Sequence, residues 1–286
     1  MIKVAILGYG TVGSGVVEVL TTNAGIIAKR AGQEVGVKYV LDLRDFPGDP
    51  IQSKVVHDFQ IILDDPEVDI VVETMGGTKP AYEFVKKALL AGKSVCTSNK
   101  ELVAAYGAEL VHLAKSKSVN FLFEASVGGG IPVIRPLNQS LTADKILKIN
   151  GILNGTTNYI LTKMAKEGSD FDVVLKEAQE LGYAEKDPTA DVEGYDACRK
   201  IAILTSLAYG KQVNYEEVYT EGITKITAED FKYAEKLEAA IKIFGSSRKE
   251  GGKLYAMVAP QMIRRDNPLF AVEGVFNAIC VTGNML

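Results

Sequence analysis

The chain has few cysteines, no strong excess of charge and no long apolar run. Its three cysteines are widely spaced, so they form neither a disulfide framework nor a CxxC metal motif. A net charge of -4 argues against a nucleic-acid partner, because binding to a duplex requires clustered cations. No run of about 18 apolar residues is present for a membrane span. These absences favour a soluble protein.

The length and composition suit a two-domain globular protein. With 286 residues, 47% of them hydrophobic, the chain can bury a full core. A predicted strand starts almost at residue 1, so we expect no signal peptide and a cytoplasmic protein.

A glycine-rich turn, G-Y-G-T-V-G, joins a predicted strand (1–7) to a predicted amphipathic helix (12–20). Gly8 allows the tight turn, Gly10 lets the backbone approach a pyrophosphate, and Gly13 lets the helix pack closely on the strand. The helix N-terminus then offers free N–H groups to phosphates. The sequence therefore predicts dinucleotide binding.

Strands and helices alternate up to about residue 130 and then follow a different pattern. In the first part we predict strands at 35–41, 70–73, 94–97 and 120–124, and helices at 81–91 and 100–115. In the second part we predict strands at 146–153 and 253–258, and helices at 156–166, 172–181, 196–209 and 228–243. This order predicts an α/β protein, with a Rossmann-type doubly wound parallel sheet and a second α+β domain. We place a dinucleotide-binding domain at 1–132 and a second domain at 133–286.

Polar residues follow several predicted strands, where ligands of doubly wound sheets bind. Thr74 follows the strand at 70–73, and Lys100 follows the strand at 94–97. Ser98 and Asn99 also suit a helix cap, which would fix Lys100 in the first helical turn. The glycines in E-A-S-V-G-G-G-I-P, which begins at residue 124, are consistent either with carbonyls turned toward a ligand or cation, or with a hinge.

A second polar segment, G-Y-A-E-K-D-P-T-A-D, begins at residue 182 and precedes a predicted helix. Asp196 and Lys200 lie one turn apart on this helix, a spacing that pairs a carboxylate with an ammonium. In a cleft, such a pair would hold a lysine for proton transfer. On a surface, it would be an ordinary ion pair beside a solvated acidic loop.

Taken together, these motifs resemble homoserine dehydrogenase. The resemblance rests on G-Y-G-T-V-G, E-T-M-G-G, A-G-K-S-V-C-T-S-N-K, E-A-S-V-G-G-G-I-P, N-G-T-T-N-Y-I-L and G-Y-A-E-K-D-P-T-A-D, and it extends in order over the whole chain. It implies that L-homoserine and L-aspartate 4-semialdehyde are interconverted with NAD(P), in the biosynthetic branch to threonine and methionine.

The resemblance also implies roles for individual residues. It assigns the cofactor loop to Gly8, Gly10, Thr11, Val12 and Gly13, to which we add Thr74. It assigns catalysis to Lys200, Lys100 and Asp196, with Lys200 as proton donor and Lys100 beside the nicotinamide. It assigns substrate binding to Glu185, Asp191, Gly155 and Thr156. A sodium ion, held mostly by backbone carbonyls, is expected at Glu124, Val127, Gly129 and Ile131.

The chain departs from the family at its end. Family members continue into a G-x-G-A-G segment and a closing helix, which help to close over the cofactor. We therefore expect the chain to be a fragment or a shortened form, and it also lacks the regulatory domain that some members append. The family further implies that the second domain, 133–286, binds the substrate and forms a homodimer through its sheet.

Two readings stay open beside this one. An acylating semialdehyde dehydrogenase needs a reactive cysteine near a histidine, and only His57 and His112 are available, neither in a polar, glycine-rich stretch. A non-catalytic, nucleotide-sensing Rossmann protein would have no need of the lysines and carboxylates. The cofactor also stays open: Asp42 suits the ribose hydroxyl of NAD, whereas Arg44 suits the 2′-phosphate of NADP, which we favour.

Overall fold

The computed structural model describes residues 1–285, and the chain divides into two compact units. The first unit spans Met1–Gly129 and the second spans Gly130–Leu286. Each unit contains its own sheet. The predicted boundary at residue 132, and the function predicted for each domain, stay predictions.

Within residues 1–129, six parallel strands form a sheet in the order β3-β2-β1-β4-β5-β6. The strands are β1 (Ile2–Leu7), β2 (Val35–Leu41), β3 (Val55–Val56), β4 (Val68–Glu73), β5 (Ser94–Thr97) and β6 (Phe121–Leu122). The helices are α1 (Thr11–Thr22), α2 (Ala24–Ala31), α3 (Phe59–Asp64), α4 (Ala81–Leu90) and α5 (Lys100–Ser116). The order confirms the predicted Rossmann-type sheet and places its switch point between β1 and β4.

The central strand β1 is apolar because helices cover both faces of a parallel sheet. Its residues 4–7 are almost completely buried. Val4 and Ile6 pack in one cluster with Val40 of β2, and this cluster is covered by Val16 and Leu20 of α1. The apolar spacing of α1 therefore places its first turn directly beyond the carboxyl end of β1.

Within residues 130–285, a mixed sheet has the order β11-β7-β9-β10-β8. Its strands are β7 (Ile146–Ile152), β8 (Tyr219–Thr220), β9 (Ala239–Glu250), β10 (Lys253–Arg264) and β11 (Ala278–Gly283). The helices are α6 (Gly155–Glu167), α7 (Phe171–Glu180), α8 (Thr189–Val192), α9 (Tyr195–Tyr209) and α10 (Ala228–Lys236). All neighbouring strands are antiparallel except β8 and β10. The second α+β unit is thus confirmed.

Helix α9 lies close against this sheet because β9 carries a glycine at the contact. A Cβ atom on Gly245 would lie 2.6 Å from Leu153 Cδ1 and 3.1 Å from Ile201 Cβ. The opposite face is partly covered by the segment 265–277, whose Leu269 packs with Ile152 and Phe244. The strand end at Leu153 and the start of α9 are thereby held in one packed layer.

Several predicted boundaries are wrong. The helix predicted at 228–243 ends at Lys236, and Glu238 has a φ of +52° before β9 begins. Residues 239–244, which are apolar except for Lys242, begin strand β9, and residues 241–244 are buried. Periodicity alone does not distinguish a short buried strand from a buried helix. The strand predicted at 253–258 continues to Arg264 because β9 pairs with its whole length.

One shorter element also differs from prediction. The strand predicted at 120–124 is reduced to Phe121–Leu122, because Glu124 begins a short 3-10 helix. The hydroxyl of Ser126 donates to the carbonyl of Phe123 (2.6 Å) and stabilises that turn.

Candidate active site

The turn after β1 is shaped by glycines. Gly8 has a φ of +95°, a conformation that side chains disfavour. A Cβ on Gly13 would lie 2.0 Å from the carbonyl oxygen of Gly8, whereas a Cβ on Gly10 would meet no described atom within 4 Å. Gly10 is the N-cap of α1, and because it has no side chain it leaves the first N–H groups of the helix uncapped. The turn thus leaves an open helix N-terminus, as an anion such as a pyrophosphate requires.

Thr74 ties together the ends of β1 and β4. Its hydroxyl donates to the carbonyls of Leu7 (3.0 Å) and Gly8 (3.1 Å). Its backbone N–H also donates to Leu7 (2.9 Å). Thr74 therefore fixes the glycine turn at the switch point of the sheet, and its predicted contact with the cofactor stays a prediction.

Asp42 and Arg44 form a close pair at the end of β2. The Asp42 carboxylate accepts from Arg44 Nε (3.0 Å), from Arg44 Nη2 (3.0 Å) and from the backbone N–H of Tyr9 (2.8 Å). The Arg44 guanidinium holds the pKa of Asp42 well below its usual range. The side chain of Arg44 is 62% exposed, whereas that of Asp42 is 10% exposed. The arginine, rather than the carboxylate, is therefore presented to solvent.

Lys100 is the first residue of α5, and Asn99 caps that helix as predicted. The Oδ1 atom of Asn99 accepts from the backbone N–H of Leu102 (3.0 Å), and its Nδ2 atom donates to the carbonyl of Gly77 (2.6 Å). Glu73, at the end of β4, is fully buried and accepts from the hydroxyl of Thr97 (2.6 Å). These contacts join the two polar strand ends and fix the start of α5, which carries Lys100.

In the second unit, Asp196 and Lys200 form the predicted ion pair, with 2.7 Å between Asp196 Oδ2 and Lys200 Nζ. The ammonium also donates to the carbonyl of Leu153 at the end of β7 (2.8 Å). The side chains of Asp196 and Lys200 are only 4% and 15% exposed. The pair is therefore largely buried, which is unlike an ordinary surface ion pair.

Asn154 connects this pair to a second carboxylate. Its Nδ2 atom donates to Asp191 Oδ1 (2.7 Å) and to Asp196 Oδ2 (3.0 Å). Its Oδ1 atom accepts from the backbone N–H of Thr157 and caps α6 (2.9 Å). We did not predict Asn154 as a site residue, although an asparagine before G-T-T is a typical N-cap signal. We call the side chains of Asn154, Asp191, Asp196 and Lys200 the carboxylate–lysine cluster.

Gly155 and Thr156 form the turn beside this cluster. A Cβ on Gly155 would lie 2.7 Å from the carbonyl oxygen of Val275, so only glycine fits there without displacing the backbone of the segment 265–277. The hydroxyl of Thr156 donates to the carbonyl of Tyr183 (2.6 Å). Thr156 therefore anchors the loop that carries Glu185. The side chain of Glu185 is exposed, and its backbone carbonyl accepts from Gln179 Nε2 (3.0 Å).

The residues predicted to bind sodium are divided between the units. Glu124 opens a 3-10 helix, Val127 is buried, and Gly129 has a φ of +57° at the end of the first unit. Ile131 belongs to the second unit. Residues 1–285 contain no group of three or more Cys, His, Asp or Glu side chains suited to a metal, although a site made of carbonyls would not require one. Sodium binding stays a prediction.

The buried cysteines are poor nucleophiles. Burial raises the pKa of the Cys96 and Cys198 thiols, which lowers the fraction of reactive thiolate. His57 contacts Asp42 and Asp45 instead of a cysteine.

No single helix within residues 1–285 has the length and apolarity of a membrane span. The consecutive helices α1 and α2 pass that test only together, and they are bent by 78°.

Comparison with protein-family models gives two matches. Residues 132–286 match the model described as homoserine dehydrogenase. Residues 8–124 match the model described as the NAD binding domain of homoserine dehydrogenase.

Among curated proteins, the chain is 44% identical over 289 residues to the homoserine dehydrogenase of Bacillus subtilis (strain 168). This match covers 99% of the chain and 66% of the relative. A homoserine dehydrogenase of Synechocystis is also 44% identical, with coverage of 100% and 67%. The chain thus spans about two thirds of the length of these relatives.

Solved structures give the same picture. The homoserine dehydrogenase of Thiobacillus denitrificans has a TM-score of 0.94 at 44% identity, covering 100% of this chain and 67% of that one. A hyperthermophilic archaeal homoserine dehydrogenase in complex with NADPH has a TM-score of 0.82 at 31% identity, with coverage of 100% and 89%.

Proposed function

Because this chain belongs to the homoserine dehydrogenase family, we propose that it interconverts L-homoserine and L-aspartate 4-semialdehyde with a nicotinamide cofactor. This reaction lies in the biosynthetic branch to threonine and methionine. The observation that carries the proposal is the buried carboxylate–lysine cluster beside the Gly155–Thr156 turn. It provides an ammonium for proton transfer and carboxylates that suit an amino-acid substrate.

The glycine turn of the first unit would hold the pyrophosphate of the cofactor. Gly8 and Gly13 shape the turn, and the first-turn N–H groups of Thr11 and Val12 lie at the open N-terminus of α1. A nicotinamide cofactor, when bound, supplies or accepts the hydride. The protein contributes the position of the reactants and their electrostatic surroundings.

We propose that NADP is preferred over NAD. Asp42 already accepts from Arg44 and Tyr9, so its carboxylate is occupied as an acceptor for a ribose hydroxyl. Arg44 is exposed and carries donors suited to a 2′-phosphate. The related archaeal enzyme was solved with NADPH, which supports this choice.

Lys200 would provide the proton in the reduction of the aldehyde. Reduction creates an alkoxide that must be protonated, and the reverse reaction must remove the hydroxyl proton. Within residues 1–285, the bonds described for Lys200 use two of its three N–H groups, to Asp196 and Leu153. The third is left for a substrate oxygen. The role of Lys100 beside the nicotinamide rests on the family resemblance.

The carboxylates would bind the ammonium of the amino-acid substrate. Asp191 is half-buried in the cluster, and Glu185 is exposed on the neighbouring loop. The negative charge of such carboxylates favours a cationic group at this position.

We also propose a homodimer that pairs through the open part of the second sheet, away from α9. Lys148, Arg248 and Tyr255 are cross-strand neighbours there, and Met257 lies on the same face of β10. Tyr255 is 46% exposed and Met257 36% exposed, so apolar side chains lie on an uncovered sheet. A monomer in light scattering at micromolar concentration would contradict this arrangement.

We also propose a cytoplasmic location, which can be checked by cell fractionation.

Turnover of L-homoserine is the experiment that tests the function. The purified protein should reduce NADP when L-homoserine is added and oxidise NADPH when the semialdehyde is added. An acylating dehydrogenase would instead need a thiolate, and burial opposes one at Cys96 and Cys198. A protein that bound NADP but turned over neither substrate would be a nucleotide-binding module, and the proposal would be wrong.

A further inference from the structure

A single side-chain amide contacts both carboxylates of the cluster. Nδ2 of Asn154 lies 2.7 Å from Asp191 Oδ1 and 3.0 Å from Asp196 Oδ2, so its two N–H groups serve two acids on different helices. Asn154 itself is 6% exposed. The amide oxygen, Oδ1, accepts from the N–H of Thr157, and this bond defines which way the amide is oriented.

We propose that Asn154 is a positioning residue that holds the carboxylates of Asp191 and Asp196 together and so fixes the ammonium of Lys200. This inference rests on the proposed function and extends it to a residue that does not touch the reacting atoms. An amide NH₂ group can only donate, so it contacts both carboxylates as a donor and offsets the repulsion between them. Two carboxylates brought together without such a donor would repel each other.

Asn154 is connected to Lys200 in two ways, through Asp196 and through the preceding residue, Leu153. Lys200 Nζ donates to Asp196 Oδ2, the same oxygen that accepts from Asn154. It also donates to the carbonyl of Leu153, the residue directly before Asn154. A shift of Asn154 would therefore move both acceptors of the ammonium at once.

The capping role of Asn154 Oδ1 and the donor role of Asn154 Nδ2 can be tested separately. Asp and Ser are both good N-caps, so Asn154→Asp and Asn154→Ser should keep the bond to Thr157 that starts α6. Asn154→Asp removes the donor and adds a charge, whereas Asn154→Ser removes the amide donor without adding one. A role limited to helix capping predicts little loss in either variant.

We expect Asn154→Asp to lower kcat about 10- to 100-fold above neutral pH, the size expected for lost hydrogen bonds to charged groups. Asp191 and Asp196 would raise the pKa of the introduced carboxyl, whereas the ammonium of Lys200 would oppose this rise. We expect the rise to prevail, because the two carboxylates contact the side chain at position 154 directly and Lys200 contacts it only through Asp196, so the introduced carboxyl becomes protonated as the pH falls. Its hydroxyl can then donate to one neighbour, and the deficit relative to the wild type should shrink at lower pH. Asn154→Ser should show a deficit that does not vary with pH.

Asn214 offers a matched control. It also caps a helix through Oδ1, which accepts from the N–H of Glu216 (3.1 Å), and its Nδ2 atom donates to Glu217 Oε1 (3.3 Å). Asn214 is exposed, so the same exchange, Asn214→Asp, places a new charge in water. It should leave kcat, KM and the pH profile unchanged.

Melting temperatures across pH 5.5–8.5 keep this test separate from the proposed function. If the wild type does not turn over homoserine, the function is wrong, but the melting curves still report on Asn154. The introduced carboxyl has a raised folded-state pKa, so Asn154→Asp should lose stability relative to Asn154→Ser as the pH rises. A pH-independent difference, matched by Asn214→Asp, would overturn the inference, as would wild-type kcat in Asn154→Ser.

Discussion

The glycine turn of the first unit and the carboxylate–lysine cluster of the second unit are built in opposite ways. The turn depends on missing side chains: Gly8 supplies a left-handed φ, and Gly13 leaves room for the carbonyl of Gly8. The cluster depends on four side chains brought together from the start of α6, from α8 and from α9, joined by hydrogen bonds of 2.7–3.0 Å. The first kind of site is defined by backbone shape, and the second by charge and its partners. Substitutions should therefore damage the two sites in different ways.

Substitution of Lys200 should have the largest effect on the rate. Lys200→Ala removes the ammonium held by Asp196 and Leu153, so kcat should fall by roughly two to four decades, the usual range for a general acid or base. KM for the cofactor should stay unchanged, because the glycine turn lies in the other unit. Steady-state kinetics in both directions measure this, and a wild-type kcat would make Lys200 a structural ion-pair residue.

Substitutions in the glycine turn should instead affect protein stability and cofactor binding to different degrees. Gly13→Ala places a Cβ against the carbonyl of Gly8, so it should destabilise the protein by roughly 1–3 kcal/mol and also weaken NADPH binding. Gly10→Ala meets no described atom, so it should leave the melting temperature nearly unchanged and weaken binding alone. Thermal melts and the fluorescence of bound NADPH measure the two effects. Equal losses of stability in both variants would contradict the assigned geometry.

A smaller effect is expected from substitution of Arg44, which forms an ion pair with Asp42. Arg44→Ala should raise KM for NADP roughly 10- to 100-fold, the loss of charge-assisted hydrogen bonds, and leave KM for NAD unchanged or lower. The variant also changes acid stability. The folded-state pKa of Asp42 is depressed, so its stabilising contribution is present above the unfolded pKa and is lost as the pH falls toward the folded one.

This acid-stability contribution should be smaller in Arg44→Ala, because Arg44 is the main cause of the depressed pKa. Acid titrations followed by circular dichroism would show the difference. Unchanged NADP kinetics in the variant would remove Arg44 from the cofactor site.

The smallest effect is expected from thiol modification. Burial raises the pKa of Cys96 and Cys198, so iodoacetamide at neutral pH should react slowly with these two thiols, and brief treatment should leave the rate nearly unchanged. Mass spectrometry of the modified protein, combined with the rate assay, checks both points. Rapid inactivation by labelling of either cysteine would favour the acylating mechanism.

The same contrast explains how much could be predicted from the sequence. The glycine turn lies in six consecutive residues between a strand and a helix, so local pattern was sufficient to find it. Asp196 and Lys200 were also predicted as a pair, because their spacing is local to one helix. The bonds from Asn154 to residues 37 and 42 positions away were not, because no local pattern records them.

Errors in the fold have a similar cause. The helix predicted at 228–243 contains the start of β9, whose residues 241–244, apolar except for Lys242, are buried by pairing with β10 and by packing. Strand pairing between distant segments decided the structure there, and the apolar run alone was ambiguous. The helices α2 and α3 were not predicted, and α2 has no buried residue that would mark an apolar face.

A double-mutant cycle on Asp196 and Lys200 tests the central claim most directly. If Asp196 acts on the reaction by holding the ammonium of Lys200, then kcat should fall strongly in Asp196→Ala and in Lys200→Ala. The loss in the double variant should then be much smaller than the two single losses combined. Losses that simply combined, in variants with wild-type cofactor binding, would show that the two residues act independently and would contradict a catalytic cluster.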